Sequence, residues 1–250
     1  MTRTVIAPER EGDLIGLAMA DLEPGELLEL PGELETVVVI LSGVVDVEAG
    51  GEQLGLAGGR SSVFEGPGHA VYSPPGVALR VKATGPAQLA IATAPGGEGA
   101  PAKARIIGPA DQRLNEAGKG NWSRSVRTIL GPEHAAGRLL LGETINPPGN
   151  WSSYPPHKHD REAPPEEVRL QEVYLYQFDP AGGFGVQIRY DDAGAEAVII
   201  RDGDALRIPS GYHPVVTAPG YSLYYLWVMA GDGRQMIPYF DPAHAWVQES

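Results

Sequence analysis

Glycine and proline cut this chain into pieces too short for helices. The 250 residues contain 33 Gly and 23 Pro, spread along the whole length without a fixed period. Such residues encode tight turns, glycine by reaching positive φ and proline by fixing its own φ. Between the turns lie short apolar segments that roughly alternate, the period of a half-buried strand. In the first half they run 16–20, 35–41, 44–48, 62–64, 69–72, 77–81 and 88–93, with turns such as Gly66-Pro67-Gly68 and Ser73-Pro74-Pro75-Gly76 between them. The pattern predicts an all-β fold.

The stretch 94–101, Ala-Pro-Gly-Gly-Glu-Gly-Ala-Pro, is the richest in breakers and reads as a linker. Allowing the next segment to edge the first lobe, the expected division is 1–118 and 119–250. The second half repeats the grammar of the first, with strand patterns at 125–129, 138–145, 172–178, 183–190, 197–201, 205–208, 213–217 and 221–229. The segment from Gly59 to Phe64, followed by Tyr72-Ser-Pro-Pro-Gly76, occupies the place in the first half that Asp202 to His213 occupies in the second. Two tandem β-barrels of similar design follow, one with a histidine cluster and one without.

Charge narrows the class of partner. With 19 Lys and Arg against 32 Asp and Glu, the net charge is −13. An acidic surface of this size repels phosphate backbones and anionic bilayers, so neither nucleic acid nor membrane is an expected partner. A small anionic substrate would need a local positive centre, from arginine or a metal. The chain has no cysteine, which removes disulfide and thiolate chemistry and fits a reducing cytoplasm. The first residues hold no apolar core of signal-peptide length, and the longest apolar runs, 37–41 and 223–230, fall short of a membrane span.

Chemistry concentrates in three segments of the second half. In Tyr154-Pro-Pro-His157-Lys-His159-Asp160 two imidazoles lie two residues apart, on one face if the backbone is extended. Glu172 heads a strand pattern that puts Glu172, Tyr174 and Tyr176 on one face, and a carboxylate there is costly to bury unless it meets a cation. Pro209-Ser-Gly211 forms a turn that delivers His213 to the next strand. Each signal alone has a plainer structural explanation. Together His157, His159, Glu172 and His213 form a ligand set for one divalent metal, zinc first and manganese, iron or nickel as alternatives. His69 has no histidine or glutamate at matching spacing and reads as structural, and His134 and His244, in turn-like sequence, read as surface or packing residues.

These residues resemble the two cupin motifs, glycine-led His-x-His with a glutamate, then Pro-x-Gly with a final histidine. The match makes the expected fold a bicupin, two jelly-roll barrels, and carries the ligand role onto the same four residues. Two departures stand out. Twelve residues separate His159 from Glu172, among them Glu166 and Glu167, either of which could replace Glu172 as ligand. The second motif is one residue short between Gly211 and His213, and no asparagine follows.

The departures resemble a particular family. Residues 152–160 (Ser-Ser-Tyr-Pro-Pro-His-Lys-His-Asp), 172–176 (Glu-Val-Tyr-Leu-Tyr), 183–187 (Gly-Phe-Gly-Val-Gln), 211–216 (Gly-Tyr-His-Pro-Val-Val) and 223–226 (Leu-Tyr-Tyr-Leu) are similar to the 5-deoxy-glucuronate isomerases of inositol catabolism. More distantly they resemble the 4-deoxy-uronate isomerases of pectin breakdown. The resemblance implies an aldose–ketose isomerisation of a sugar acid to its keto acid, 5-dehydro-2-deoxy-gluconate, through an enediolate held on the metal. It also implies a proton-handling group, for which Tyr174 and Tyr225 are the candidates. Lys158, Arg189 and Arg201 are candidate cations for the substrate carboxylate, with Lys158 the weakest because it should face away from its flanking histidines. The expected setting is the cytoplasm, and a homo-oligomer is left open. A cupin dioxygenase and a non-catalytic sugar-acid-binding cupin use the same ligand set and stand as the rival readings.

Overall fold

The computed structural model describes residues 1–248. Strands dominate, and the helical content of the described residues is three short 3₁₀ turns, Pro109–Asp111, Gly120–Trp122 and Ala245–Gln248. Two compact units divide the chain, the first made of Met1–Gln112 with Ile129–Leu140, the second of Arg113–Thr128 and everything from Leu141.

The first unit is two antiparallel sheets sharing one core. A six-stranded sheet runs in the order Thr2–Ile6, Gly16–Leu22, Ala87–Ala94, Glu35–Ser42, Ala70–Ser73, Arg105–Ile107. A four-stranded sheet runs Leu27–Leu30, Leu79–Ala83, Val44–Ala49, Glu52–Gly58. Val38, Ile40, Leu89 and Ile91 of the first pack in one cluster with Val45, Val47, Leu79 and Val81 of the second. That cluster is made of alanine and larger aliphatic side chains. One expected strand is absent: residues 62–64 form a turn, in which the Phe64 and Glu65 amides bond to Ser62. Val63 is buried there as an anchor, which gave the segment its strand-like apolar character.

The division between units is not a single cut. Residues 113–118, expected in the first lobe, belong to the second unit, and Ile129–Leu140 returns to the first. Ile129, Leu130, Leu139 and Leu140 are fully buried. Glu35, also fully buried, clasps the returning segment. Its Oε1 accepts from the Tyr72 hydroxyl (3.0 Å) and the Gly137 amide (2.6 Å), and its Oε2 from the amides of Arg138 (2.7 Å) and Leu139 (3.1 Å). A buried carboxylate is tolerable only when its oxygens are bonded this fully. Gly137 makes the approach possible, since a Cβ there would lie 2.8 Å from the Gly97 nitrogen.

The second unit repeats the two-sheet plan around a hollow. Its larger sheet runs Arg113–Ala117, Arg124–Leu130, Leu139–Asn146, Ser222–Ala230, Gln171–Asp179, Ala205–Ile208. The smaller runs Trp151–Ser152, Val215–Thr217, Phe184–Asp191, Gly194–Arg201. In the register of Gln171–Asp179 against Ser222–Ala230, Glu172 faces Met229, Tyr174 faces Trp227 and Tyr176 faces Tyr225. Because side chains alternate along a strand, this one register turns a carboxylate, three tyrosines and a tryptophan toward the same side.

Candidate metal centre

The strand expected to carry both imidazoles is only His157–Lys158, paired with Tyr239–Phe240 near the C-terminus. His159 lies just past its end, fixed by its own carbonyl, which accepts the Leu170 amide at 2.9 Å. Glu172 comes from the second position of Gln171–Asp179. His213 follows the turn at Gly211, whose φ of +85° favours glycine, and where a Cβ would meet the Tyr190 carbonyl oxygen at 2.7 Å.

His159, Glu172 and His213 are buried with their ligand atoms within 4.8 Å of one another. His157 stands beside them, its ring centre 4.8 Å from that of His213 and 6.3 Å from that of His159. The four residues singled out by spacing are thus brought to one place. Glu167 is not a competitor for Glu172. It is buried, but its Oε1 accepts the amides of Asp160 (2.7 Å) and Arg161 (2.9 Å) and its Oε2 the Arg161 Nε (3.0 Å), closing the inserted loop. Glu166 is exposed.

Do these groups fit a cation? The Nδ1 of His159 lies 2.8 Å from the Leu170 carbonyl oxygen and that of His213 lies 2.9 Å from the Gly211 carbonyl oxygen. Each Nδ1 therefore carries the proton in the neutral ring, leaving the Nε2 lone pair for a ligand bond. Both Nε2 atoms converge on the same Glu172 oxygen, at 2.9 Å from His159 and 3.2 Å from His213. The His213 Nε2 is nevertheless a buried polar atom with no hydrogen-bond partner. Two inward lone pairs, one of them on an orphaned nitrogen, and a carboxylate are a donor set that a borderline divalent ion takes.

Electrostatics agree. For Glu172 burial acts upward, but the hydrogen bond from His159 and the charges of His159 and His213 outweigh it and hold the carboxyl well below its usual range. For His159 burial acts downward, and the Glu172 hydrogen bond overrides it to give a net rise. Burial, then His213 and His159, pushes His157 far down and keeps it neutral. A proton held on His159 competes with a metal for Nε2. Metal uptake near neutral pH is therefore expected to release protons, and affinity to rise with pH until His159 is fully deprotonated. Calorimetry of zinc binding in two buffers of different ionisation enthalpy checks this, and buffer-independent heats would contradict it.

Behind the triad lies a cavity of about 150 Å³. Tyr174 and Tyr225 line it, as expected of the candidate proton handlers, with ring centres 4.9 Å apart. The Tyr225 hydroxyl is 2.5 Å from the Ser152 Oγ and the Tyr174 hydroxyl 3.3 Å from the Ser153 Oγ. Burial, reinforced by the Glu172 charge, pushes the Tyr174 phenol well up, so it stays protonated and is a donor. Lys158 turns outward to Asp160 (2.6 Å).

Arg189 and Arg201 are not in the cavity, and their expected role as carboxylate partners is corrected by their placement. Both sit on the hairpin formed by Phe184–Asp191 and Gly194–Arg201. Arg189 donates from Nε to Glu196 at 3.0 Å, and Arg201 is exposed. Their strands belong to the smaller sheet, and the wall of the cavity comes largely from the larger one. The cation that does line it is Arg124, the first residue of a strand that begins one residue before the expected 125–129. The alternation Arg124, Val126 along Arg124–Leu130, both lining the cavity, was the available signal. The segment 236–238 also lines it and carried no recognisable mark in the sequence.

Comparison with known proteins places this arrangement. The KduI/IolB family matches residues 2–247. The 5-deoxy-glucuronate isomerase of Geobacillus thermodenitrificans is 38% identical over 250 residues, 98% of this chain and 90% of that one. The enzyme of the same name from Bacillus subtilis strain 168 is 37% identical over 222 residues, 86% of this chain and 80% of that one. Among solved structures, an IolB-like protein from Salmonella typhimurium LT2 superimposes with a TM-score of 0.93 at 34% identity, covering 98% of this chain and 94% of that one. Bacillus subtilis oxalate decarboxylase matches at a TM-score of 0.68 and 12% identity, over 92% of this chain and 73% of that one, a likeness of fold alone.

Proposed function

The chain belongs to the KduI/IolB family and is an isomerase, and from that premise we propose that it converts 5-deoxy-glucuronate to 5-dehydro-2-deoxy-gluconate in the cytoplasmic breakdown of myo-inositol. The observation that carries this reading is the match to enzymes of that name over 98% of the chain. The site supplies the chemistry such a conversion needs.

His157, His159, Glu172 and His213 would hold one divalent ion, zinc by donor type. Bound there, it would polarise the carbonyl and the neighbouring hydroxyl and stabilise the negative charge that develops between them. The remaining work is proton movement, from the hydroxyl-bearing carbon to its neighbour and between the two oxygens. Tyr174, kept protonated, can donate to an oxygen. Tyr225, hydrogen-bonded to Ser152, has a second polar atom through which a proton can be passed on. The lining by Leu170, Met229 and Ile237 limits water at the reacting carbons.

Conversion of 5-deoxy-glucuronate followed by NMR in deuterated water tests the proposal. Turnover is expected only with metal present, with deuterium entering at the carbon that gains hydrogen. Tyr225→Phe is expected to lower kcat by about 10²-fold, the lower end for loss of a proton-transfer group, with KM nearly unchanged. Absence of turnover in metal-loaded protein would overturn the reading.

A further inference from the structure

We infer that Arg124 is the carboxylate anchor of the cavity, gripping the acid end of a sugar acid whose carbonyl end lies at the histidines. The inference rests on the sugar-acid reading above and names the residue that makes the site select acids over neutral sugars.

Arg124 is the one lysine or arginine among the described residues lining the cavity. The one carboxylate in that lining, Glu172, is already engaged by two imidazoles. A guanidinium in such a place is costly unless an anion meets it. Its surroundings hold it in position. Nη1 donates to the Trp122 carbonyl oxygen at 3.1 Å, and the guanidinium carbon lies 5.8 Å from the centre of the Trp122 ring. Gly118, at φ +77°, lets this support form, since a Cβ there would come within 2.2 Å of the Trp122 oxygen and 2.9 Å of Arg124 Nη1.

What that support leaves over is specific. Nε is buried and has no hydrogen-bond partner. Nη1 is the nitrogen on the Cδ side of the guanidinium, so fixing it leaves the opposite edge, Nε with Nη2. Those two N–H bonds are parallel and match the two oxygens of a carboxylate. Burial also pulls the Arg124 pKa down, the sign of a desolvated cation, although the neighbouring tyrosines act the other way. A hydroxymethyl group offers a single oxygen and no charge, so a neutral sugar would leave the fork half empty.

The test compares the acid substrate with its neutral analogue, carrying hydroxymethyl in place of carboxylate, in the wild type, Arg124→Ala and Arg124→Lys. The wild type is expected to prefer the acid by roughly 10²-fold in kcat/KM, the scale of losing one partner of a buried charge pair. In Arg124→Ala that preference collapses to near unity, chiefly through KM, and added guanidinium ion restores part of it. Arg124→Lys recovers only a fraction, because a point charge cannot make the fork. Turnover of the neutral analogue shows that each variant is folded. An Arg124→Ala enzyme that keeps the preference, or loses acid and neutral turnover equally, would overturn the anchor. Calorimetric binding of glucuronate separates the two readings. Arg124-dependent binding without isomerisation sinks the isomerase and keeps the anchor, whereas isomerisation with binding unchanged in Arg124→Ala sinks the anchor alone.

Discussion

Glu172→Gln is expected to abolish binding of the divalent metal proposed above and lower turnover by about 10³-fold. The carboxylate is the one negative group of the triad, and both buried imidazoles converge on its Oε2. Glutamine keeps the shape but removes the charge, so an amide group would oppose at least one Nε2 lone pair. Loss of outer-shell partners already costs 10–100-fold in metal affinity, so loss of a direct ligand should cost at least about 10²-fold. A rate loss of about 10³-fold corresponds to roughly 4 kcal/mol of lost charge stabilisation. Metal content after dialysis, measured by mass spectrometry, and turnover in excess zinc check both numbers. Glu167→Gln is the informative contrast, because it loosens the inserted loop while leaving the metal stoichiometry intact. Loss of metal in Glu167→Gln with retention in Glu172→Gln would reverse the ligand assignment.

Glu35→Gln is expected to destabilise the protein by about 4 kcal/mol, as much as or more than Glu35→Ala. Both Glu35 oxygens accept backbone N–H groups, from Gly137 on one side and from Arg138 and Leu139 on the other. Whichever way a glutamine amide is placed, its NH₂ points at a donor. Alanine leaves the same N–H groups unpaired, at about 1–3 kcal/mol each, but adds no donor–donor clash. Thermal denaturation should show a drop on the order of 10 °C for either variant. A glutamine variant as stable as the wild type would show that the clasp contributes nothing.

The difference between these two glutamates shows what a sequence discloses. Glu172 was legible because its partners are side chains of rare type at telling spacing, His157, His159 and His213. Glu35 was not, since three of its four partners are backbone amides, and an amide has no letter of its own. The strands of the second unit were readable from alternation, Gln171–Asp179 to within a residue at each end. The pairing of His157–Lys158 with Tyr239–Phe240 was invisible, because two-residue strands have no period to detect. Arg124 lay between these cases. Its alternation with Val126 was present, but nothing local tells a surface arginine from one facing a hollow. Arg189 and Arg201 carry the same local pattern and point elsewhere.

The return of Ile129–Leu140 to the first unit has a consequence for how such a chain can be inherited. A gene fragment ending anywhere before residue 129 encodes a first lobe whose Glu35 has lost its amides. A fragment beginning at 113 or 119 keeps the strands Arg124–Leu130 and Leu139–Asn146 but loses Glu35, the group that holds the amides of Gly137, Arg138 and Leu139 between them. Either cut severs the Glu35 clasp. Shuffling, which spreads self-contained barrels from one protein to another, would here cut that clasp at any boundary before residue 129.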